Sequence, residues 1–166
     1  VIAGIRENPV DLLFIAGDLF HRQPLPYELN EVNNLFSSIP NTSVYLMAGD
    51  SDYLKRDSFY REFSWAPNVT FFQEEKVTCV KDTKSDVYVY GMSYEHPKIE
   101  APVYDSVRLA GREGVHILLA HGGDGSHCPV NVAALAETGF DYIALGHLHT
   151  PQSLIRDAAA YSGTLE

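Results

Sequence analysis

Four short apolar segments of this chain are each followed by an aspartate or a histidine. Both residue types bind divalent metal ions. The residues are Asp18, Asp50, His121, His147 and His149. Carboxylate and imidazole ligands together favour Mn, Fe or Zn over Ca or Mg. This many candidate ligands favours two ions that share a bridging carboxylate, and such a pair can polarise a phosphate ester and supply hydroxide to attack it. From an extended loop, His147 and His149 could point to different ions.

The segments that precede these residues are typical of buried β-strands. They are short, apolar and cover residues 11–16, 43–48, 115–120 and 141–145. Residues 25–39 and 131–139 have the apolar spacing of amphipathic helices, so strands and helices alternate. In such a sheet the carboxyl ends of the strands share one edge, where we expect the candidate ligands to converge. The alternative is that these polar residues only cap the loops that follow the strands.

The middle of the chain predicts a second set of strands. The β-rich segments there, separated by polar turns, cover residues 69–72, 76–80 and 86–90. They favour either an antiparallel insert or the far half of a two-sheet core. Residues 52–63 predict a short helix, residues 101–112 are ambiguous between helix and loop, and residues 158–162 predict the start of a further strand.

The first residues of the chain and its length indicate how it is organised into domains. Residues 1–9 have no initiator Met and are typical of the end of a helix that Pro9 stops. We therefore expect a first strand upstream of Val1. A length of 166 residues, with 45% hydrophobic and 20% charged residues, is typical of one globular domain, which we place at residues 1–166.

Composition narrows the function classes. No apolar run approaches the ~20 residues of a membrane span and no signal segment opens the chain, so we expect no membrane association. Cys79 and Cys128 are too few for a disulfide framework or a thiolate zinc site, which favours a reducing compartment and a cytoplasmic location. The net charge of −10 argues against a protein that binds nucleic acid by itself, because phosphate backbones favour basic surfaces.

Four sequence motifs resemble, in their order, those of the calcineurin-like metallophosphoesterases. They are Gly-Asp-Leu-Phe-His-Arg at 17–22, Ala-Gly-Asp-Ser-Asp-Tyr at 48–53, Leu-Ala-His-Gly at 119–122 and Gly-His-Leu-His at 146–149. The first motif, and the closing Tyr-Ser-Gly-Thr-Leu-Glu at 161–166, are most similar to the SbcD-type DNA-repair exonuclease branch. The resemblance extends from Asp11 to Glu166. It implies an α/β fold with a two-sheet β core flanked by helices in four layers, with the metals at the strand ends.

The resemblance also implies individual ligand roles. Asp18 matches the carboxylate that bridges two metal ions, and Asp50 takes the place of the usual Asn ligand of the second ion. His121 and His147 match further ligands of the second ion, whereas His149 matches a ligand of the first. The implied cofactor is a pair of divalent ions, for which we expect Mn, with Fe, Zn or Mg as alternatives.

Three departures from the family pattern bear on catalysis. The Asp-x-His motif of the first strand is absent, which leaves the first ion with Asp18 and His149 alone. The family's Gly-Asn-His-Asp is here Gly-Asp-Ser-Asp at 49–52, where Asp50 keeps an oxygen ligand and adds a negative charge that strengthens metal binding. Ser51 replaces an imidazole that assists phosphate binding and leaving-group protonation, and a hydroxyl is a poor general acid near neutral pH.

Candidate catalytic residues lie beside the predicted ligands. His21 matches a branch-specific histidine close to the substrate phosphate and could take over part of the missing imidazole's role. Ser51 and Asp52 belong to the altered motif itself. His127 could line the site, although the sequence favours a mobile loop there. A basic cluster that suits either a phosphodiester backbone or a solvated helix face consists of Lys55, Arg56 and Arg61.

The leading hypothesis is a metal-dependent DNA exonuclease domain that hydrolyses phosphodiester bonds with a two-metal site. The resemblance adds an SbcC-type ATPase partner and a homodimer as candidate assemblies. The first alternative is a phosphoesterase that acts on nucleotides or small molecules, which the lack of a basic surface favours. The second is a degenerate metal-binding module that supports an ATPase partner and cuts nothing, which Ser51 favours.

Overall fold

The computed structural model describes residues 1–111 and 113–164. Within these ranges the helices are α1 (Ile2–Glu7), α2 (Pro26–Ser37) and α3 (Val132–Glu137). The strands are β1 (Leu12–Ala16), β2 (Ser43–Met47), β3 (Val69–Phe71), β4 (Thr78–Lys81), β5 (Val87–Gly91), β6 (Val115–His121), β7 (Tyr142–Gly146), β8 (Gln152–Ile155) and β9 (Ala159–Tyr161). Short 3₁₀ turns cover Phe59–Arg61 and Val103–Ser106. No helix of the described ranges is both long enough and apolar enough to cross a membrane.

The strands form two sheets. The smaller sheet is parallel, in the order β1-β2-β3. The larger sheet has the order β4-β5-β6-β7-β9-β8, in which β4 and β8 run antiparallel to their neighbours and the other pairs are parallel. The four apolar segments form β1, β2, β6 and β7, so they are strands as predicted; β2 is buried along its whole length, whereas β1 is partly exposed.

Alternation of side chains along the central strands gives four layers. Tyr45 of β2 lies in a core between the two sheets, together with Leu119 of β6. Val44 points to the opposite face of β2, where it packs with residues of α1 and α2. On the far face of the larger sheet, Leu118 packs in one cluster with Leu135 of α3. The order helix, sheet, sheet, helix agrees with the predicted two-sheet core flanked by helices.

The short helix predicted at residues 52–63 is wrong. This segment is a loop that contains the 3₁₀ turn Phe59–Arg61. The backbone N–H of Leu54 donates to the carbonyl of Tyr94 at 2.7 Å, so the segment is anchored to a neighbouring chain segment rather than to itself. Tertiary contacts of this kind override local helix propensity.

The remaining elements refine the sequence interpretation. The β-rich middle is not a separate insert, because β3 joins the smaller sheet while β4 and β5 join the larger one. The ambiguous segment 101–112 forms only the turn Val103–Ser106 within its described part, since Arg112 lies outside the described residues. Residues 158–162 contain β9, as predicted. Leu165 and Glu166, the end of the closing motif, also lie outside the described residues.

Candidate metal centre

The carboxyl ends of four strands bring most of the candidate ligands to one edge of the molecule. Asp18 and Asp50 follow β1 and β2, which are paired in register along their whole length. His121 is the last residue of β6 and lies opposite Gly146 of β7, which His147 follows directly. The predicted convergence at the strand ends is therefore observed for four of the five residues.

The two sheets approach each other closely at this edge because glycines line it. A Cβ at Gly146 would overlap the backbone carbonyl of Ala16. A Cβ at Gly49, after β2 of the smaller sheet, would lie 2.7 Å from Cε1 of His121 in the larger sheet. Asp18 and His147 themselves have positive φ angles of 50° and 94°, which are uncommon for residues other than glycine. Backbone strain of this kind is concentrated at functional sites.

Asp18, Asp50, His121 and His147 form a compact set that we call the four-residue group. One ligand atom of each residue lies within 4.8 Å of the others. Asp50 Oδ1 lies 2.6 Å from Nε2 of His121 and 3.0 Å from Nδ1 of His147. Asp18 Oδ2 lies 3.6 Å from the same Nε2 of His121. Two carboxylates and two imidazoles with ligand atoms this close together form a donor set that fits a divalent transition-metal ion.

His121 is held in the orientation that a metal ligand requires. Its side chain is fully buried, and its Nδ1 lies 2.7 Å from the carbonyl oxygen of Ala16. A carbonyl oxygen only accepts hydrogen bonds, so Nδ1 carries a proton and Nε2 faces the carboxylates. Burial lowers the pKa of His121, but the hydrogen bond to Asp50 and the charge of Asp18 outweigh it and raise that pKa. Burial raises the pKa of Asp50, but hydrogen bonds and charge attraction from the imidazoles lower it to about 2.

Three tyrosine hydroxyls fix the backbone at the end of β6. Tyr94 donates to the carbonyl of His121 at 2.8 Å, and Tyr104 accepts from the backbone N–H of His121 at 3.1 Å. Tyr161 donates to the carbonyl of Gly122 at 2.8 Å. All three side chains are buried, so these bonds satisfy hydroxyls that would otherwise be costly to bury. The ligand at the end of β6 is thus held by the core of the larger sheet.

A second group, which the strand-end pattern does not predict, lies beside the first. Asp124 Oδ2 is 3.0 Å from Nε2 of His147 and 3.2 Å from Nδ1 of His127. The ring centroids of His127 and His147 are 4.8 Å apart. The structure therefore places His127 beside His147, whereas the sequence favoured a mobile loop at this position. The signal that could identify Asp124 is the Gly-Gly-Asp sequence directly after His121.

Comparison with known proteins identifies the family. A family model described as calcineurin-like phosphoesterase matches residues 1–151. The chain belongs to the calcineurin-like phosphoesterase family. Members of this family usually bind divalent metals, and the four-residue group provides a suitable set of ligands. The SbcD-type branch and the manganese preference stay predictions.

One relative matches nearly all of the chain but less than half of its own length. The chain is 28% identical over 179 residues to the uncharacterized metallophosphoesterase YhaO of Bacillus subtilis (strain 168). The match covers 99% of the chain and 43% of that relative. The chain therefore spans less than half the length of the relative it matches.

Ser51 and Asp52 have different surroundings in this chain. Ser51 donates to Asp18 twice, from its backbone N–H to Oδ1 at 2.9 Å and from its hydroxyl to Oδ2 at 3.0 Å. Asp52 is fully buried and accepts hydrogen bonds from the Gly49 backbone and the Tyr60 hydroxyl. Burial raises the pKa of Asp52 to about 6. Asp52 therefore connects the loop after β2 to the protein interior and lies outside the four-residue group.

His21 and His149 are exposed and are not part of the four-residue group. His149 follows His147 on the loop after β7, and its backbone carbonyl accepts from the N–H of Thr164 at 3.0 Å. His21 lies on the loop after β1 that also carries Asp18. The structure thus separates the five predicted ligands into four that converge and one, His149, that does not.

The predicted basic cluster is partly neutralised. Lys55 lies 3.3 Å from a carboxylate oxygen of Asp57, and Arg61 lies 3.2 Å from one of Glu95. Arg56 is exposed. These side chains lie on the loop that replaces the predicted helix, so their spacing does not follow a helix face. The ion pairs reduce the positive charge that this loop can offer to a phosphate backbone.

Proposed function

We propose that this chain is part of a phosphodiesterase that hydrolyses DNA with two divalent ions, for which Mn is the expected metal. Family membership supports metal-dependent phosphoester hydrolysis. The observation that carries the proposal is the four-residue group, because one carboxylate or imidazole ligand atom of each residue lies within 4.8 Å of the others. When bound, a pair of divalent ions neutralises phosphate charge and activates water for in-line attack.

We assign the ligands to two ions. Asp18, Asp50, His121 and His147 would hold one ion, since their ligand atoms already lie within 4.8 Å of one another. Asp18 would share its carboxylate with the other ion, to which exposed His149 would contribute its imidazole. The two ions would therefore differ in affinity, because one has a preformed set of ligands and the other does not.

The chain's own residues prepare the site for the phosphate. The carbonyl of Ala16 fixes the Nδ1 proton of His121 and so directs Nε2 inward. Ser51 holds both oxygens of Asp18, which fixes the orientation of this carboxylate. Because the Ser51 hydroxyl donates its proton to Asp18, it is not placed to protonate a leaving group. We assign that step to His21, which is exposed on the same loop as Asp18.

A second candidate function is hydrolysis of nucleotides or small phosphoesters. The ion pairs of Lys55 and Arg61 with acidic neighbours favour it, as does the net charge of −10. A long DNA backbone needs several unpaired basic side chains, whereas a small ester needs mainly the metal site. A third candidate, a non-catalytic module beside an ATPase partner, is favoured by Ser51. The SbcC-type partner and the homodimer rest on the resemblance alone.

The test is hydrolysis by the full-length protein that contains this chain. The protein is stripped with EDTA, reloaded with Mn²⁺ and given end-labelled linear duplex DNA, closed circular DNA and nitrophenyl phosphate esters. We expect Mn²⁺-dependent loss of nucleotides from the ends of linear DNA, and no activity in Asp18→Asn. Asp11→Asn, at an exposed carboxylate before β1, is the matched control. Full activity in EDTA would contradict the proposal, and hydrolysis of the small esters alone would favour the second candidate.

A further inference from the structure

His147 has a carboxylate at each of its two ring nitrogens. Nδ1 lies 3.0 Å from Oδ1 of Asp50, inside the four-residue group. Nε2 lies 3.0 Å from Oδ2 of Asp124, outside it. Only 15% of the His147 side chain is exposed, so these two contacts fix the rotation of the ring. Asp124 thus touches a predicted metal ligand without belonging to the predicted set of ligands.

The chemistry of imidazole gives the two contacts different roles. A neutral imidazole has one nitrogen that donates and one that accepts, and a metal ion binds the nitrogen with the free lone pair. The Nδ1 atom faces the four-residue group, so it is the atom that an ion there would bind. Nε2 must then carry the proton, and an ionised carboxylate is the strongest partner for that N–H. Asp124 is in place to accept it.

Asp124 is fixed by its own loop and does not depend on His147 for its position. Its Oδ1 accepts from the backbone N–H groups of Ser126 at 2.8 Å and His127 at 2.7 Å. The Ser126 hydroxyl lies 3.0 Å from each of its oxygens. The loop turns through Gly123 and Gly125, which have positive φ angles. The carboxylate is therefore preorganised toward Nε2 of His147.

A competing role for Asp124 is to bind an ion of its own with His127 and His147. The ligand atoms of these three residues lie within 4.8 Å of one another. However, Nδ1 of His147 faces Asp50, and one neutral imidazole has a lone pair for only one ion. An ion on the Asp124 side would therefore compete with the four-residue group for His147. The four-residue group has one more ligand and a buried histidine, which favours binding there.

We infer that Asp124 is a positioning residue, which holds the proton of His147 on Nε2 and thereby presents Nδ1 to the metal ion of the four-residue group. This inference rests on the proposed function for the identity of the site. It adds a residue that neither the strand-end pattern nor the family motifs assign. Loss of such a hydrogen-bond partner of a metal-ligating histidine typically costs about 10- to 100-fold in metal affinity.

The test compares three variants of the full-length protein. Asp124→Asn keeps an oxygen that can accept from the backbone N–H groups of Ser126 and His127, but it places an amide N–H₂ toward Nε2 of His147. Asp124→Ala removes the hydrogen-bond acceptor altogether. Asp11→Asn makes the same change of charge at an exposed carboxylate before β1, at the opposite end of that strand from Asp18, and is the matched control. Zn²⁺ titration by calorimetry gives the affinity and the number of ions bound. ¹H–¹⁵N NMR reports the His147 Nε2–H proton with and without Zn²⁺, with His147→Gln for assignment.

We expect Zn²⁺ affinity to fall about 10- to 100-fold in both Asp124 variants, with the number of bound ions unchanged, and to stay at the wild-type value in Asp11→Asn. The slowly exchanging Nε2–H signal should disappear in both Asp124 variants, including the metal-free protein. Unchanged affinity with an unchanged NMR signal would overturn the inference. Loss of one bound ion at constant affinity of the other would also overturn it, because Asp124 would then be a ligand. Both readouts are independent of hydrolysis, so failure of the proposed function would be seen separately.

Discussion

Asp50 Oδ1 and His121 Nε2 lie 2.6 Å apart, and this contact joins the two sheets at their carboxyl edge. Asp50 follows β2 of the smaller sheet, whereas His121 ends β6 of the larger one. The same carboxylate oxygen also faces Nδ1 of His147, after β7. Asp50 is therefore the residue on which the geometry of the four-residue group depends most directly.

Metal binding should stabilise the protein through Asp50. A metal ion that binds only the folded state adds about 2.7 kcal/mol to the free energy of unfolding when its free concentration is about 100 times its Kd. We expect Mn²⁺ to raise the melting temperature of the wild type and to have little effect on Asp50→Ala. Asp50→Asn should keep much of the Mn²⁺-dependent rise in melting temperature, because an amide oxygen still binds the ion. Differential scanning calorimetry with and without Mn²⁺ measures the difference, and an equal increment in Asp50→Ala would exclude Asp50 as a ligand.

The sequence predicts the architecture well where physical constraints act locally. Short apolar runs identify β1, β2, β6 and β7, because strands covered on both faces must be apolar throughout. The apolar spacing of residues 131–139 predicts a helix, and α3 lies within this range, with the Asn131 side chain accepting from the Ala134 N–H at 3.1 Å. The helix predicted near residues 52–63 fails because its backbone bonds to Tyr94, a contact that no local pattern contains.

The site is predictable to the extent that ligands follow strand ends directly. Asp18, Asp50, His121 and His147 are found this way, because parallel strands share one edge. Asp124 is missed because it lies within a longer loop, whose path depends on glycines with positive φ and on the buried hydroxyl of Tyr161. Positions of this kind are set by tertiary contacts, so residue spacing alone does not reveal them.

Replacement of Gly146 by alanine should disrupt the contact between the sheets. The added Cβ would overlap the carbonyl of Ala16, and backbone cannot move aside as a flexible side chain can. We expect a loss of about 3 kcal/mol in the free energy of unfolding. Gly4→Ala is the matched control, since a Cβ there meets no atom within 4 Å and should stabilise α1 by about 0.5 to 1 kcal/mol. Urea denaturation distinguishes the two, and equal stability of both variants would contradict the close packing at Gly146.

Asp82 should make the stability of the protein depend on acid pH. This buried carboxylate accepts hydrogen bonds from Tyr45 and Ser85 at 2.9 and 2.7 Å. Burial raises its pKa, but the hydrogen bonds of Ser43, Ser85 and Tyr45 lower the pKa to about 2. Because an unfolded Asp has a pKa of about 3.9, the stabilisation is complete above about pH 5 and is lost as the pH falls through about 2.

The corresponding experiment replaces this carboxylate by an amide. Asp82→Asn should lower the free energy of unfolding near pH 7 by on the order of 2 kcal/mol and flatten its decline between about pH 5 and 2. Chemical denaturation of the metal-free protein across this range measures both effects. Asp11→Asn, at an exposed carboxylate, controls for the change of charge. A variant with the same acid slope as the wild type would show that other carboxylates carry the pH dependence.

Ser51→His should test whether the altered motif limits catalysis. In the wild type the Ser51 hydroxyl donates to Asp18 at 3.0 Å and supplies no acid to a leaving group. An imidazole at this position is expected to raise the rate of phosphodiester hydrolysis by about 10²-fold or more, because a positioned general acid typically contributes that much. Ser51→Ala removes the hydroxyl without adding an acid, so it should give no gain. Steady-state kinetics with Mn²⁺ compare the three proteins.

The three outcomes of this comparison separate the candidate functions. An inert wild type with an active Ser51→His variant would favour the non-catalytic module, since the scaffold could then hydrolyse esters once the imidazole is present. An active wild type with a faster variant would support the proposed phosphodiesterase with a weakened acid step. Equal rates in wild type and Ser51→His would mean that another group, for which exposed His21 is the candidate, already protonates the leaving oxygen. In that case His21→Ala should slow the wild type by about 10²-fold or more.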